Sequence, residues 1–252
     1  MQAADADLAA TALLVVAPVI GSFLGVLVRR LPEGRAVAWS RSHCEACGAR
    51  LRLRDLVPIV SWLAARGHCR YCGQEVGLFY PGIEFAALLI ALISLGVDSL
   101  PWVWLDCLLG WWLLVLCWID VDHWLLPDLL TLPLLVLGLL AAALFDPELL
   151  FDRALGAALG YVALRAVALA YRVIRHREGL GAGDAKLLGA GGAWVGASVL
   201  PQVILAASLA ALAAVAVLRL RGVRLGRQSA LPFGPFIGLA IWGVWLSLPR
   251  AL

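Results

Sequence analysis

The sequence predicts an all-α polytopic membrane protein of about eight transmembrane helices, with a small cytoplasmic zinc-knuckle loop domain between helices 1 and 2. Three observations carry that expectation. First, 63% of the 252 residues are hydrophobic and 15% charged, with a mean hydropathy of +0.92, whereas soluble domains are roughly 45–50% apolar and about 25% charged. Surface-to-volume scaling leaves too much of a soluble chain this size outside its core to hide so much Leu, Ala, Val and Trp. Second, apolar runs of about 20 residues, the length that crosses a hydrocarbon layer of about 30 Å, recur along the chain. Third, the cations are gathered into a few segments, and 19 of the 20 are Arg, with Lys186 the only Lys. An ordinary soluble enzyme, a disordered chain and a disulfide scaffold are excluded.

The runs lie at 8–28, 80–97, 101–119, 129–145, 150–172, 187–200, 201–219 and 231–249. No basic region precedes the first and Arg29-Arg30 follow it, so it reads as a retained span rather than a cleavable signal. Pro201 is the sharp punctuation between the sixth and seventh. Nine Arg fall in 29–80, three Arg and Lys186 in 172–186, and four Arg in 219–227. With eight spans all three segments share one side, the cytoplasm by the positive-inside rule, and both termini are expected outside it. The opposite links, around Asp98 and Asp146-Pro147-Glu148, are acidic or neutral apart from Arg153. The link holding Asp120 and Asp128 has no cation, and the span count alone puts it inside. Asp106 reads as interfacial, Arg165 as paired with a carboxylate or snorkelling to the headgroups, and most of the 11 Trp as interface anchors.

Between the first two spans, Cys44-Glu45-Ala46-Cys47 and Cys69-Arg70-Tyr71-Cys72 are separated by 21 residues, and each is followed by Gly, at Gly48 and Gly73. Each Cys-x-x-Cys sets two thiolates on one tight turn, and two such knuckles complete a tetrahedral four-sulfur site suited to structural Zn²⁺. A loop of about 50 residues has too small a core to fold alone, and a metal would supply the missing stability. Two disulfides, unligated thiols or a redox pair are the alternatives, and a cytoplasmic setting disfavours disulfides. His43 and His68 read as neighbours of the site rather than ligands. Cys107 and Cys117 read as small apolar groups inside a span.

Acids in or beside spans are costly and need an account. Two segments stand out: Asp120-Val121-Asp122-His123 with Leu126-Pro127-Asp128, and Glu178-Gly179-Leu180-Gly181-Ala182-Gly183-Asp184-Ala185-Lys186. The predicted topology brings both to one membrane face at one depth. Two carboxylates in proximity share a proton, and such a pair can activate water and protonate a leaving amine, as metal-free peptide hydrolysis requires. Helix capping or ion and proton transport would use the same residues. His123 could share the helix face of Asp120.

Taken in order and spacing, these residues resemble the bacterial type IV prepilin peptidases, membrane aspartic proteases of the Gly-x-Gly-Asp type. The match begins at Gly21-Ser22-Phe23-Leu24 and Arg30-Leu31-Pro32 and runs through both knuckles, with Val57-Pro58-Ile59-Val60-Ser61-Trp62-Leu63 and Arg66-Gly67 between them. It continues through Tyr80-Pro81-Gly82-Ile83-Glu84 and both acid segments, and closes at Pro232-Phe233-Gly234-Pro235-Phe236. The resemblance implies cleavage of a basic leader after Gly from prepilin or pseudopilin precursors at the cytoplasmic face of the inner membrane. It also implies N-methylation of the new amino terminus from S-adenosylmethionine. It assigns catalysis to Asp120 and Asp184 and supporting roles to Asp122, Asp128, Gly181, Gly183 and Lys186. Zinc falls to Cys44, Cys47, Cys69 and Cys72, and Glu84 with the 29–80 loop is associated with methylation. The expected division is a first transmembrane helix at 1–28, a cytoplasmic four-cysteine zinc-binding domain at 29–80, and a membrane aspartic peptidase domain of about seven helices at 81–252. The bilayer is the other expected partner, and no nucleic acid is expected. Gly25 stands where the family usually has Asn. A peptidase without methyltransferase activity is the alternative reading, and a proton- or ion-coupled transporter a more distant one.

Overall fold

The structure, a computed structural model, describes residues 2–37, 42–176, 181–223 and 231–249. Arg41, Arg177, Glu178, Gly179, Leu180, Arg224 and Arg227, all used in the sequence argument, lie outside them. The described residues form α-helices, short 3-10 turns and two isolated β-bridges, in two compact units, Met1–Val115 and Leu116–Leu252.

The first unit holds α1 (Gln2–Arg30), the cysteine loop with its one-turn helix α2 (Val60–Ala64), α3 (Phe79–Val97) and most of α4 (Trp102–His123). In lipid, apolar side chains gain little from leaving solvent, so helices associate where small residues let backbones approach. Gly21 and Gly25, one turn apart on α1, meet α3 this way. A Cβ at Gly21 would fall 2.6 Å from the Glu84 Cα, and one at Gly25 would fall 3.1 Å from the Tyr80 ring. The Arg29 guanidinium lies 4.2 Å from the Phe79 ring centroid, continuing the antiparallel register to the helix ends.

The second unit holds the end of α4, then α5 (Asp128–Phe145), α6 (Leu150–Arg175), α7 (Ala182–Val195), α8 (Leu200–Leu220) and α9 (Gly234–Ser247). Helix α7 is its centre, with every residue from Leu187 to Val195 buried. Gly156 and Gly160 of α6 face Gly192 and Leu188 of α7 so closely that a Cβ at Gly192 would overlap the Gly156 carbonyl. Trp194 donates from Nε1 to the Leu134 carbonyl of α5 at 2.9 Å and stacks edge-on against Trp245 of α9 at 5.3 Å.

Helices stand at all eight predicted places, and among the described residues six are long and apolar enough to cross a membrane. The other two, α7 and α9, have 14 residues each, about 21 Å at 1.5 Å per residue. Gly196, at φ +92°, ends α7 where the Asp152 carbonyl accepts from the Ala197 amide, so the predicted run into 200 is broken. A helix encased by protein need not match the bilayer, because its neighbours satisfy what lipid cannot. Asp106 is fully buried on α4, the most enclosed of the membrane-capable helices among the described residues. Arg165 is exposed on α6, as a snorkelling side chain requires.

Candidate active site and metal centre

The acid site is built from three helix ends of the second unit. Asp120 sits in the last turn of α4 and is 6% exposed; Asp184 sits in the first turn of α7 and is 8% exposed. Asp120 Oδ2 accepts a 3.1 Å hydrogen bond from the amide of Gly234, the first residue of α9. A Cβ on residue 234 would come within 2.6 Å of that oxygen, so glycine is what lets the amide reach it. Asp184 accepts from the backbone N–H of Gly181, the residue that caps α7. This is the reach-back half of a capping box, and it sets the carboxyl against the positive end of the helix dipole. The two carboxyl groups lie within electrostatic reach of one another.

What brings the ends together is legible residue by residue. Trp124 takes a left-handed conformation (φ +56°) that ends α4, and its amide still bonds the Asp120 carbonyl at 2.9 Å. The chain then turns through Leu126 to Pro127, which caps α5. Gly183 seats on Leu126, where a Cβ would stand 2.9 Å from the leucine Cβ, and Lys186 Nζ pairs with Asp128 Oδ1 at 2.5 Å. Thus Leu126 and Asp128 of the first segment interlock with Gly183 and Lys186 of the second. Asp122 and His123 are exposed, and no hydrogen bond joins either to the pair among the described residues. Gly234, the one backbone donor to the Asp120 carboxyl among the described residues, lies in the closing 232–236 motif, to which no role attaches from the sequence alone.

In the first unit the two knuckles are the same turn twice. In each, the amide of the Gly after the second Cys bonds the carbonyl of the first Cys at 2.9 Å, Gly48 to Cys44 and Gly73 to Cys69. Both glycines have φ near +70°, 68° and 72°. The bridges His43–Arg50 and His68–Glu75 close both turns seven residues apart. The four sulfurs of Cys44, Cys47, Cys69 and Cys72 lie within 4.8 Å of one another, and Cys44 and Cys72 are 3.9 Å apart. A tetrahedral ion with metal–sulfur bonds of about 2.3 Å sets its sulfurs roughly 3.8 Å apart, so the four thiols fit a metal ion. Asp55, missed in the sequence, ties this centre to the loop. It accepts from the Tyr71 hydroxyl at 2.9 Å and the Arg52 amide at 3.1 Å, and pairs with Arg70 at 3.0 Å. Burial pushes its pKa up, but these donors outweigh that and hold it below the usual 3.8. Its signal was available: it is the one acid between the knuckles.

Beside the thiols is a cavity of about 590 Å³, lined by Ser22, Arg29, Arg35, Trp62, Tyr80 and Glu84 among others. Glu84 is buried and accepts a 2.7 Å hydrogen bond from the Ile59 amide.

Six membrane-capable helices among the described residues, two carboxyl groups buried at helix ends and a four-thiol loop define the class, a multi-pass membrane protein. Residues 15–96 match the bacterial peptidase A24 N-terminal domain, and residues 107–216 match the type IV leader peptidase family. The chain is 37% identical over 248 residues to the prepilin leader peptidase/N-methyltransferase of Pseudomonas aeruginosa, covering 88% of this chain and 85% of that protein. It is 39% identical over 259 residues to the protein of that name from Dickeya chrysanthemi, covering 91% and 89%. No solved structure matches. The chain belongs to the type IV leader peptidase family.

Proposed function

We propose that this protein cleaves the basic leader from type IV prepilin or pseudopilin precursors after Gly, and N-methylates the new amino terminus. The observation that carries the first activity is the convergence of Asp120, Asp184 and the Gly234 amide at three helix ends. A precursor with a basic leader in the cytoplasm and an apolar helix in the bilayer has its scissile bond at their boundary. Helix ends at that boundary meet it there, in the inner membrane with the cysteine loop on the cytoplasmic side. The pair holds one proton between its two members. The ionised carboxyl takes a proton from water as that water attacks the carbonyl carbon, and the protonated one hydrogen-bonds the carbonyl oxygen. Collapse of the tetrahedral intermediate sends a proton to the leaving amine. The Gly234 amide fixes Asp120, and the Gly181 amide with the helix terminus fixes Asp184. Asp128 and Lys186 clamp the two segments, and Asp122 supports the first of them from the exposed side.

Cys44, Cys47, Cys69 and Cys72 hold Zn²⁺ as a structural ion, because four thiolates leave no open position for catalysis. The working division is a helix at 1–28, a zinc-binding domain at 29–80 and a peptidase domain at 81–252. Methylation belongs to the cavity beside the zinc loop. S-adenosylmethionine would supply an electrophilic methyl group; Trp62 and Tyr80 offer flat faces to its base, Arg29 and Arg35 suit its carboxylate, and Glu84 suits its cationic centre. Purified protein is incubated with a prepilin, with and without the donor, and the product is weighed. Asp120→Asn and Asp184→Asn are expected to leave the precursor uncut while the protein stays folded. Cleavage retained by either one refutes the assignment. A shortened pilin that never gains a methyl mass refutes the second activity alone.

A further inference from the structure

The outer face of the cysteine loop is apolar where a loop in water would be polar. Helix α2 is one turn long and two-sided. Ser61, Trp62 and Ala65 face the cavity, with Trp62 Nε1 bonding the Val76 carbonyl at 3.0 Å. On the other side Val60 is 61% and Leu63 60% exposed, and Val57 in the preceding turn is also exposed. Two large apolar side chains on one short face, with Val57 exposed in the turn before it, mark an interaction surface.

Two contacts fix the depth of that face. The Arg29 guanidinium over the Phe79 ring marks the level at which α3 leaves the hydrocarbon, because a cation beside a helix end belongs to the headgroups. Glu84 is five residues further along α3, about 7.5 Å deeper at 1.5 Å per residue. The Ile59 amide is hydrogen-bonded to the Glu84 carboxylate at 2.7 Å, and α2 starts at the next residue. Ile59 is held at φ +60°, a conformation that a β-branched residue adopts only when its surroundings impose it. A helical side chain leans back toward the N-terminus of its helix, so the Glu84 carboxylate stands between the levels of Phe79 and of Glu84, and the loop backbone it holds lies beside the first turns of α3, where Val60 and Leu63 leave it.

From this depth we infer that the outer face of α2 and the turn before it is seated in the lipid bilayer, at the boundary between headgroups and acyl chains. The exposed Arg52 and Arg66 on the same segment suit anionic headgroups, as on interfacial helices elsewhere. The loop is then a monotopic element joined to two spans rather than a domain hanging in the cytoplasm. It holds one wall of the cavity, through Ser61 and Trp62, at the membrane surface. The occupant is lipid rather than a protein segment, because an exposed apolar face beside the first turns of α3 stands where acyl chains begin, and Phe85 of α3 is exposed near the same level.

The test uses the full chain in vesicles of phosphatidylethanolamine and phosphatidylglycerol, with the diazirine analogue of leucine in place of Leu63, a change that keeps shape and packing. The same analogue replaces exposed Glu33 as a control. After irradiation, mass spectrometry weighs the adducts. Phospholipid adducts at 63 at least tenfold above those at 33 are expected, and the analogue at Val60 repeats the result. Equal yields at 63 and 33 overturn the inference. So does a cross-link from 63 to another segment of this chain or to added prepilin in place of lipid. None of these readouts depends on peptidase activity.

Discussion

Adding one methyl group at Gly234 tests the carboxylate geometry without touching a titratable residue. The new Cβ would stand 2.6 Å from Asp120 Oδ2 and 3.0 Å from its Cγ. Non-bonded heavy atoms settle at about 3.5–4.0 Å, so the carboxyl must retreat by about 0.9 Å or more, losing its hydrogen bond from the Gly234 amide. The obstacle is the end of a side chain and not a backbone, so the fold loses little: an off-rotamer Asp costs about 0.5–1.5 kcal/mol. Catalysis loses far more, because a displacement of about 1 Å at the reacting groups costs on the order of 10²-fold, or about 2.7 kcal/mol of transition-state stabilisation. Gly234→Ala is expected to lower kcat for prepilin cleavage about 10²-fold with KM and thermal stability nearly unchanged. Gly243→Ala on the same helix, where a Cβ meets nothing within 4 Å, should change neither. Leader release followed by mass spectrometry gives kcat, and a melting curve in detergent gives stability. Wild-type kcat in Gly234→Ala refutes the reasoning, as does a loss of activity that merely tracks the loss of folded protein.

Gly192→Ala should do the reverse. Its Cβ would strike the Gly156 backbone, which cannot swing aside, so a stability loss at or above the upper end of the usual overpacking range of about 1–3 kcal/mol is expected in a melt. Lys186→Met removes a half-exposed ion pair worth about 0–1 kcal/mol to stability. Its expected effect is on kcat, more than tenfold by the positional argument, with KM little changed in the same cleavage assay. Cys44→Ser should lower zinc content, read by atomic emission, from one ion per chain to none. It should also open the 42–76 stretch to protease while the second unit keeps its resistance.

The spans were legible because apolar length is a one-dimensional property, and the helices fall within a few residues of the runs read from sequence. The exceptions, α7 and α9, are legible only in three dimensions. Composition cannot distinguish a helix wrapped by lipid from one wrapped by protein, and α7, ended at Gly196, can be short because α5, α6 and α9 pack around it. At the site, Asp120 and Asp184 stood out because ionisable groups are rare near the hydrocarbon. The Gly234 amide did not, because every residue except proline carries one and its partner is 114 positions away. Asp55 was overlooked amid the arginines around it, although the Arg52 amide and the Tyr71 hydroxyl, with Arg70 behind them, are what hold its charge.

The departure at Gly25 bears on the methyl-transfer half of the proposal. Along α1 the residues that line the cavity are Ser22, Val26, Arg29 and Arg30, whereas Gly25 does not line it. Gly25 lies instead on the face that meets α3, where an added Cβ would stand 3.1 Å from the Tyr80 ring and 3.3 Å from an Ile83 methyl. An Asn amide would require that ring to move, and Tyr80 is itself part of the cavity wall. In this chain residue 25 therefore sets how closely α1 and α3 approach and where the Tyr80 ring stands, and it offers no polar group to a ligand. Loss of a family asparagine here changes packing behind the wall and leaves the cavity's charged groups, Arg29, Arg35 and Glu84, in place. Gly25 by itself is thus no argument that methylation has been lost.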